Sequence, residues 1–279
     1  MRVDGKIVVY ADDTCLLLSS SNWETLRQKT ELNFKKIIKW LNIKKLSLNF
    51  NKTMFMVFSI NYTLPPFEEI TLRDCSIASN CNCPKINIVK RIKYLGLIFD
   101  CNLKWNIHIN SLIVKLRSLM FKFHILKHIT SYHTWRIIYL SLYQSILQYG
   151  MVFWREASIN VLKPLSVQQN SLIRICQKKD NLIGNTLLNY VEFNVLPLEL
   201  LYKKSTLMFV YKKSYFFFIK QNDKPFGKDR LCNIKVLFTN TSFGQKFINY
   251  LGPVIFNALP IDVKKNIFND QINIKKKYK

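Results

Sequence analysis

The stretch Ile7-Val8-Val9-Tyr10-Ala11-Asp12-Asp13-Thr14-Cys15-Leu16-Leu17-Leu18 constrains this chain more than any other. Strand-forming residues lie on both sides of one acidic pair, so strand, tight turn, strand is the simplest arrangement. Asp tolerates turn geometry and can bond its own backbone there, which puts Asp12 and Asp13 at the turn. Any hairpin can carry such a turn. Two carboxylates fixed at the tip of a buried hairpin also repel each other, and a cation between them relieves the repulsion. Mg²⁺ takes one or two carboxylates together with substrate phosphates. The pair therefore suits a two-metal phosphoryl-transfer site.

The charge balance points the same way. Lys and Arg number 42 against 17 acids, a net charge of +25. Such an excess predicts a polyanionic partner, nucleic acid first and an anionic membrane surface second. Lys and Asn are abundant along the whole chain, as an A/T-rich coding sequence would make them, and the electrostatic consequence stands either way. With 49% hydrophobic and 21% charged residues, the 279-residue chain is globular, not disordered, and long enough for about two domains. No run reaches the ~18 apolar residues of a membrane span, and the N-terminus has no signal-peptide layout. Seven Cys in that setting read as reduced thiols of an intracellular protein, cytoplasmic or nuclear and not secreted. Cys75, Cys81 and Cys83 cluster without a second pair to complete a zinc pattern, so they read as loop thiols. His124 and His128 share a helical face, but no acidic residue follows either, and the metalloprotease arrangement fails.

Periodicity orders the rest. Residues 21–41 read as a helix, with Ser21 at the cap and Glu24 three residues later as a capping box. Trp23, Leu26, Thr30, Phe34, Ile37, Ile38 and Leu41 form its apolar face. Residues 46–58 read as a strand, from the alternation of Leu46, Leu48 and Phe50. Residues 61–85 read as loop with one strand near 69–72. Residues 92–100 read as strand, with Gly96 inside it allowing close approach of another backbone or marking a bulge. Apolar stripes then predict helices over 109–126, 135–149 and 159–176. Residues 187–210 read as helix broken at Pro197, and 250–260 as a compact loop-and-strand patch.

Four of these stretches resemble, in order, a known family. Tyr10-Ala11-Asp12-Asp13 is similar to the catalytic motif C of reverse transcriptases, and Thr14 with the apolar run after it resembles the jockey-type non-LTR retrotransposon branch. Asn49 with Lys52-Thr53 resembles motif D. Tyr94-Leu95-Gly96, with Trp105 and His108 beyond, resembles motif E and the start of the thumb. The segment from Thr241 to Pro260 resembles the C-terminal region of jockey-type polymerase proteins. The resemblance implies an α+β fold: a partial polymerase palm of antiparallel hairpins and a packing helix over 1–104, a helical thumb over 105–185, and a C-terminal region over 186–279.

The resemblance also assigns roles. Asp12 and Asp13 would hold Mg²⁺, with Mn²⁺ as a substitute. Lys52 would approach the incoming nucleotide and its departing pyrophosphate, since an ammonium can stabilise developing phosphate charge or donate a proton. Tyr10, Tyr94, Leu95 and Gly96 would contact nucleotide and primer. Residues 105–185 carry ten basic residues against two acids. Lys115, Arg117, Lys122 and Lys127 lie off the apolar stripe as candidates for backbone phosphates, or as a solvated polar face. The expected partners are an RNA template and a DNA primer, with no membrane. The expected function is copying RNA into DNA. Only nine residues precede Tyr10, with Asp4 the one acid among them, so the family's upstream motif A Asp and its fingers are expected to be missing. Asp4 and Asp100 are the acids left to replace that Asp. Inactivity of this chain alone is expected, and a non-catalytic nucleic-acid-binding remnant is the alternative.

Overall fold

The computed structural model describes residues 3–59, 63–71, 83–126, 131–177, 186–213, 217 and 233–267. The chain is mixed α+β, about 56% helical, with three two-stranded antiparallel pairs among the described residues. It divides into two compact units, Met1–His108 and Ile109–Lys279.

In the first unit, β1 (Lys6–Tyr10) pairs with β2 (Asp13–Leu17). Helix α1 (Trp23–Ile43) follows, capped by Asn22, whose side chain accepts the Thr25 N–H at 2.7 Å. The expected cap was Ser21; Asn takes the role because its carbonyl oxygen reaches the third N–H of the helix equally well. Strands β3 (Glu69–Thr71) and β4 (Lys85–Asn87) pair and pack on α1. Ile38, Ile70 and Ile86 are the centre of that core, with Phe34, Leu48, Phe50, Phe55 and Phe67 around them. Burying each of those Ile side chains stabilises the unit by roughly 1.5–3 kcal/mol.

Residues 46–58 are not the expected strand. The Asn49 side chain accepts the Lys52 N–H at 3.2 Å, and its carbonyl accepts the Thr53 N–H and hydroxyl at 3.0 and 2.8 Å. Asn so placed bends the chain into a turn before a ladder can form. Only Phe55 bridges to a neighbour, Ile88. The alternating Leu48 and Phe50 are still used, as core residues on an extended loop.

Strands β5 (Arg91–Tyr94) and β6 (Leu97–Asp100) form the third pair, closed by Leu95 and Gly96. Both turn residues have positive φ, 46° and 80°, the signature of a type I′ turn. Gly96 is thus a turn residue, not a strand-interior glycine or a bulge. Asp100 ends the hairpin. Its carboxylate, 8% exposed, accepts N–H bonds from Asn102, Lys104 and Trp105 at 2.9–3.1 Å and folds the loop that leads into helix α2 (Asn106–Leu126).

The second unit is helical. α3 (Tyr132–Ile138) runs through a π-helical stretch, Tyr139–Gln144, into α4 (Ser145–Gln148). The expected helix over 135–149 thus contains a wider turn, and there Tyr139 and Tyr143 stack at 5.5 Å, fully buried. α5 (Met151–Trp154), α6 (Ile159–Cys176), α7 (Thr186–Glu192) and α8 (Leu198–Lys212) follow, with Pro197 capping α8. The core contains Leu116, Phe123, Trp135, Trp154, Leu165, Leu172 and Phe193, none more than 1% exposed. Gln169 ties it together by donating to the Tyr139 hydroxyl and the Leu196 carbonyl.

Residues 248–267 correct the expected loop-and-strand patch: α9 (Ile248–Asn257) is followed by a helical run over 261–267. Val210, Phe217, Ile234 and Phe256 form its core. Asn257 holds the strap at Ile234 by pairing with both its N–H and its carbonyl, each at 2.8 Å. The buried Lys264 ammonium donates to the Asn257 carbonyl and to Asn233, which places a cation at the C-terminus of α9.

Candidate functional site

The β1–β2 register pairs Tyr10 with Asp13, leaving Ala11 and Asp12 as the two central turn residues. Ala11 has φ 49°, on the left-handed side, and Asp12 does not have positive φ. Glycine is the residue that suits the first position. Alanine there costs roughly 1–2 kcal/mol, and strain of this kind clusters where a turn must aim particular side chains. Asp12 occupies the tip and Asp13 begins β2, so the two acids are neighbours at the turn.

Both carboxylates are exposed, and so is most of the hairpin: Val9 is 62% and Tyr10 65% accessible. The expectation of a buried hairpin is corrected. Ile7, Cys15 and Leu16 are half-buried, while no described residue covers Val9 or Tyr10 to a comparable degree.

Tyr94, at the end of β5, lies within electrostatic reach of this turn. Its hydroxyl is closed off from solvent and has no hydrogen-bond partner among the described residues. Loss of solvent contact raises its pKa, and the charges of Cys15 and Asp13 raise it further. A tyrosine in this state keeps its proton. Tyr10, Asp12 and Asp13 thus share one turn, Tyr94 is within electrostatic reach of Asp13, and Leu95 and Gly96 form the turn that follows Tyr94.

Lys52 is exposed on the Asn49 turn, and among the described residues no ion pair joins it to Asp12 or Asp13. Asp100 accepts three backbone N–H bonds. Asp4 is engaged with α1: its N–H donates to Asn33 at 2.8 Å, and its carboxylate meets Lys29 at 3.4 Å. Among the described residues no three His, Cys, Asp or Glu side chains group as a metal site. The two exposed carboxylates fit a Mg²⁺ ion that fills its remaining positions with phosphate and water.

In the second unit Lys115, Arg117 and Lys122 are exposed on α2. At 100° per residue Lys115 and Lys122 share a face, and Arg117 lies across the helix from them. The expected backbone contacts thus split into two surfaces. Lys127, His128, Cys75 and Cys81 lie outside the described residues. Cys83 is disulfide-bonded, against the expectation of a reduced thiol, whereas Cys15, Cys101 and Cys176 are free. Burial pushes the Cys176 thiol up to about 12, which leaves it protonated and inert.

No family model, curated protein or solved structure matches the chain. Among the described residues no helix is long and apolar enough to cross a membrane.

Proposed function

We propose that the chain is part of an RNA-directed DNA polymerase of a jockey-type non-LTR retrotransposon. In this reading 1–104 is the C-terminal part of the palm, 105–185 the thumb and 186–279 the family's C-terminal region. One observation carries it: an exposed Asp12–Asp13 pair on a two-residue turn with positive φ at Ala11, with Tyr94 of a second hairpin within electrostatic reach of Asp13. That is the arrangement the resemblance of Tyr10-Ala11-Asp12-Asp13 and Tyr94-Leu95-Gly96 leads one to expect. RNA template and DNA primer are the partners, and the protein works in the cytoplasm or nucleus.

Asp12 and Asp13 would hold Mg²⁺, which when bound polarises phosphoryl oxygens and offsets their charge. The chain's own contribution is to keep both carboxylates exposed at one turn. Tyr94 would supply a protonated hydroxyl within electrostatic reach of Asp13, and Lys52 a cation for phosphate.

Fe²⁺ in place of Mg²⁺ tests the assignment, because bound Fe²⁺ with ascorbate and peroxide cuts the backbone nearest to it. With primer-template and nucleotide present, cuts are expected over residues 10–14 and beside Tyr94. They are lost in Asp12→Asn and Asp13→Asn. Cuts elsewhere, or cuts that persist in both variants, would overturn the assignment. A clamp on two ions needs more charged ligands than this pair supplies. The chain by itself is therefore expected to extend no labelled primer on an RNA template, with Mg²⁺ or Mn²⁺. Extension abolished by the Asn variants would refute that inactivity.

A further inference from the structure

Helices α2 and α6 border an open groove of about 720 Å³ in the second unit. That lies within the roughly 300–1,000 Å³ of ligand sites. Its lining is apolar, yet Arg117 and His124 from α2 and Lys163 from α6 border it, and no carboxylate does. Arg117, Phe121 and His124 recur at four and three residues, one face of α2. Phe121 is 69% exposed, an aromatic ring left uncovered beside cations.

Gln168, 8% exposed in the groove wall, donates to the Ile113 carbonyl and so fastens α6 to α2. A fitting ligand has negative charge and a flat apolar face. An acyl anion lacks a flat face to stack on the Phe121 ring, and a duplex hides its base faces. An unpaired nucleotide has both, because stacking on an aromatic ring needs an exposed base.

We propose that this groove binds single-stranded nucleic acid, with a base against Phe121 and flanking phosphates on Arg117 and Lys163. The proposal rests on the polymerase reading only for the class of partner; it does not use Asp12, Asp13 or duplex binding.

Fluorescence anisotropy of the full chain tests it. The probes are a labelled single-stranded RNA of about ten nucleotides, within the size such sites accept, and the same RNA annealed to its complement. Phe121→Ala is expected to weaken single-strand binding about tenfold and to leave duplex binding unchanged, with Phe121→Tyr restoring the affinity. Lys163→Gln is expected to reduce the single-strand salt slope by about 0.7. Since Phe121 is exposed, the Ala variant should melt like the parent chain. Equal losses on both probes, or no loss on either, overturn the groove assignment while the nucleic-acid reading survives. Failure of the parent chain to bind either probe overturns both. Uptake of a dansyl fatty acid that is lost in Phe121→Ala, with RNA binding intact, assigns the groove to a lipid anion and overturns the proposal.

Discussion

His108 occupies a place where an added proton is costly. It is 7% exposed, and its Nδ1 accepts the Ile98 N–H at 3.4 Å. Burial lowers its pKa below the ordinary 6.5. The unfolded chain therefore binds the proton more readily than the folded one. The stability this residue contributes is complete above about pH 6.5 and is lost as the pH falls toward the folded value. The urea midpoint of the chain is expected to be lower at about pH 5.5 than at 7.5, and His108→Phe should flatten the difference. A midpoint equally pH-dependent in the variant would show that other groups carry it. Side chains of this kind explain why the candidate site was only half legible. Asp12 and Asp13 are contiguous and declare themselves. Tyr94 comes within electrostatic reach of Asp13 from a separate hairpin, and no local pattern relates the two. Asp100 reads as a spare metal ligand in the sequence because nothing there links an acid to the loop N–H groups that bond it.

At the scale of elements, the helices were the most legible part, since an apolar stripe on a 3.6-residue period has one simple solution. The misread elements are those where one side chain overrides a pattern. Asn49 bends an alternating run into a turn. Around Gly252 and Pro253 the usual breakers sit inside α9. A Cβ on Gly252 would come within 2.8 Å of Val210 Cγ2, so glycine there lets α9 lie close against α8. Asn257 fastens the neighbouring strap. Asn257→Ala would leave the Ile234 N–H and carbonyl buried without that partner, at a cost of about 2–3 kcal/mol. A lower melting temperature with the helical circular dichroism signal retained is expected, and an unchanged one would mean that solvent replaces both bonds.

Over the whole molecule the net charge of +25 dominates. Affinity for a primer-template duplex of any sequence is expected to fall at least tenfold between about 50 and 200 mM salt, as counterions are released. A flat response, or a strong preference for one sequence, would refute a charge-driven interaction. The side-chain amides and carboxylates that hold this chain together mostly address backbone. Asn22 reads Thr25, Asp100 reads three loop amides, Gln169 reads Leu196, Gln177 reads Asn189, and Asn257 reads Ile234. A clasp that grips the main chain does not ask which residue it is gripping. Drift at the gripped positions therefore leaves the clasp intact. A lineage can in this way keep its architecture long after the letters that would reveal its kinship have been replaced.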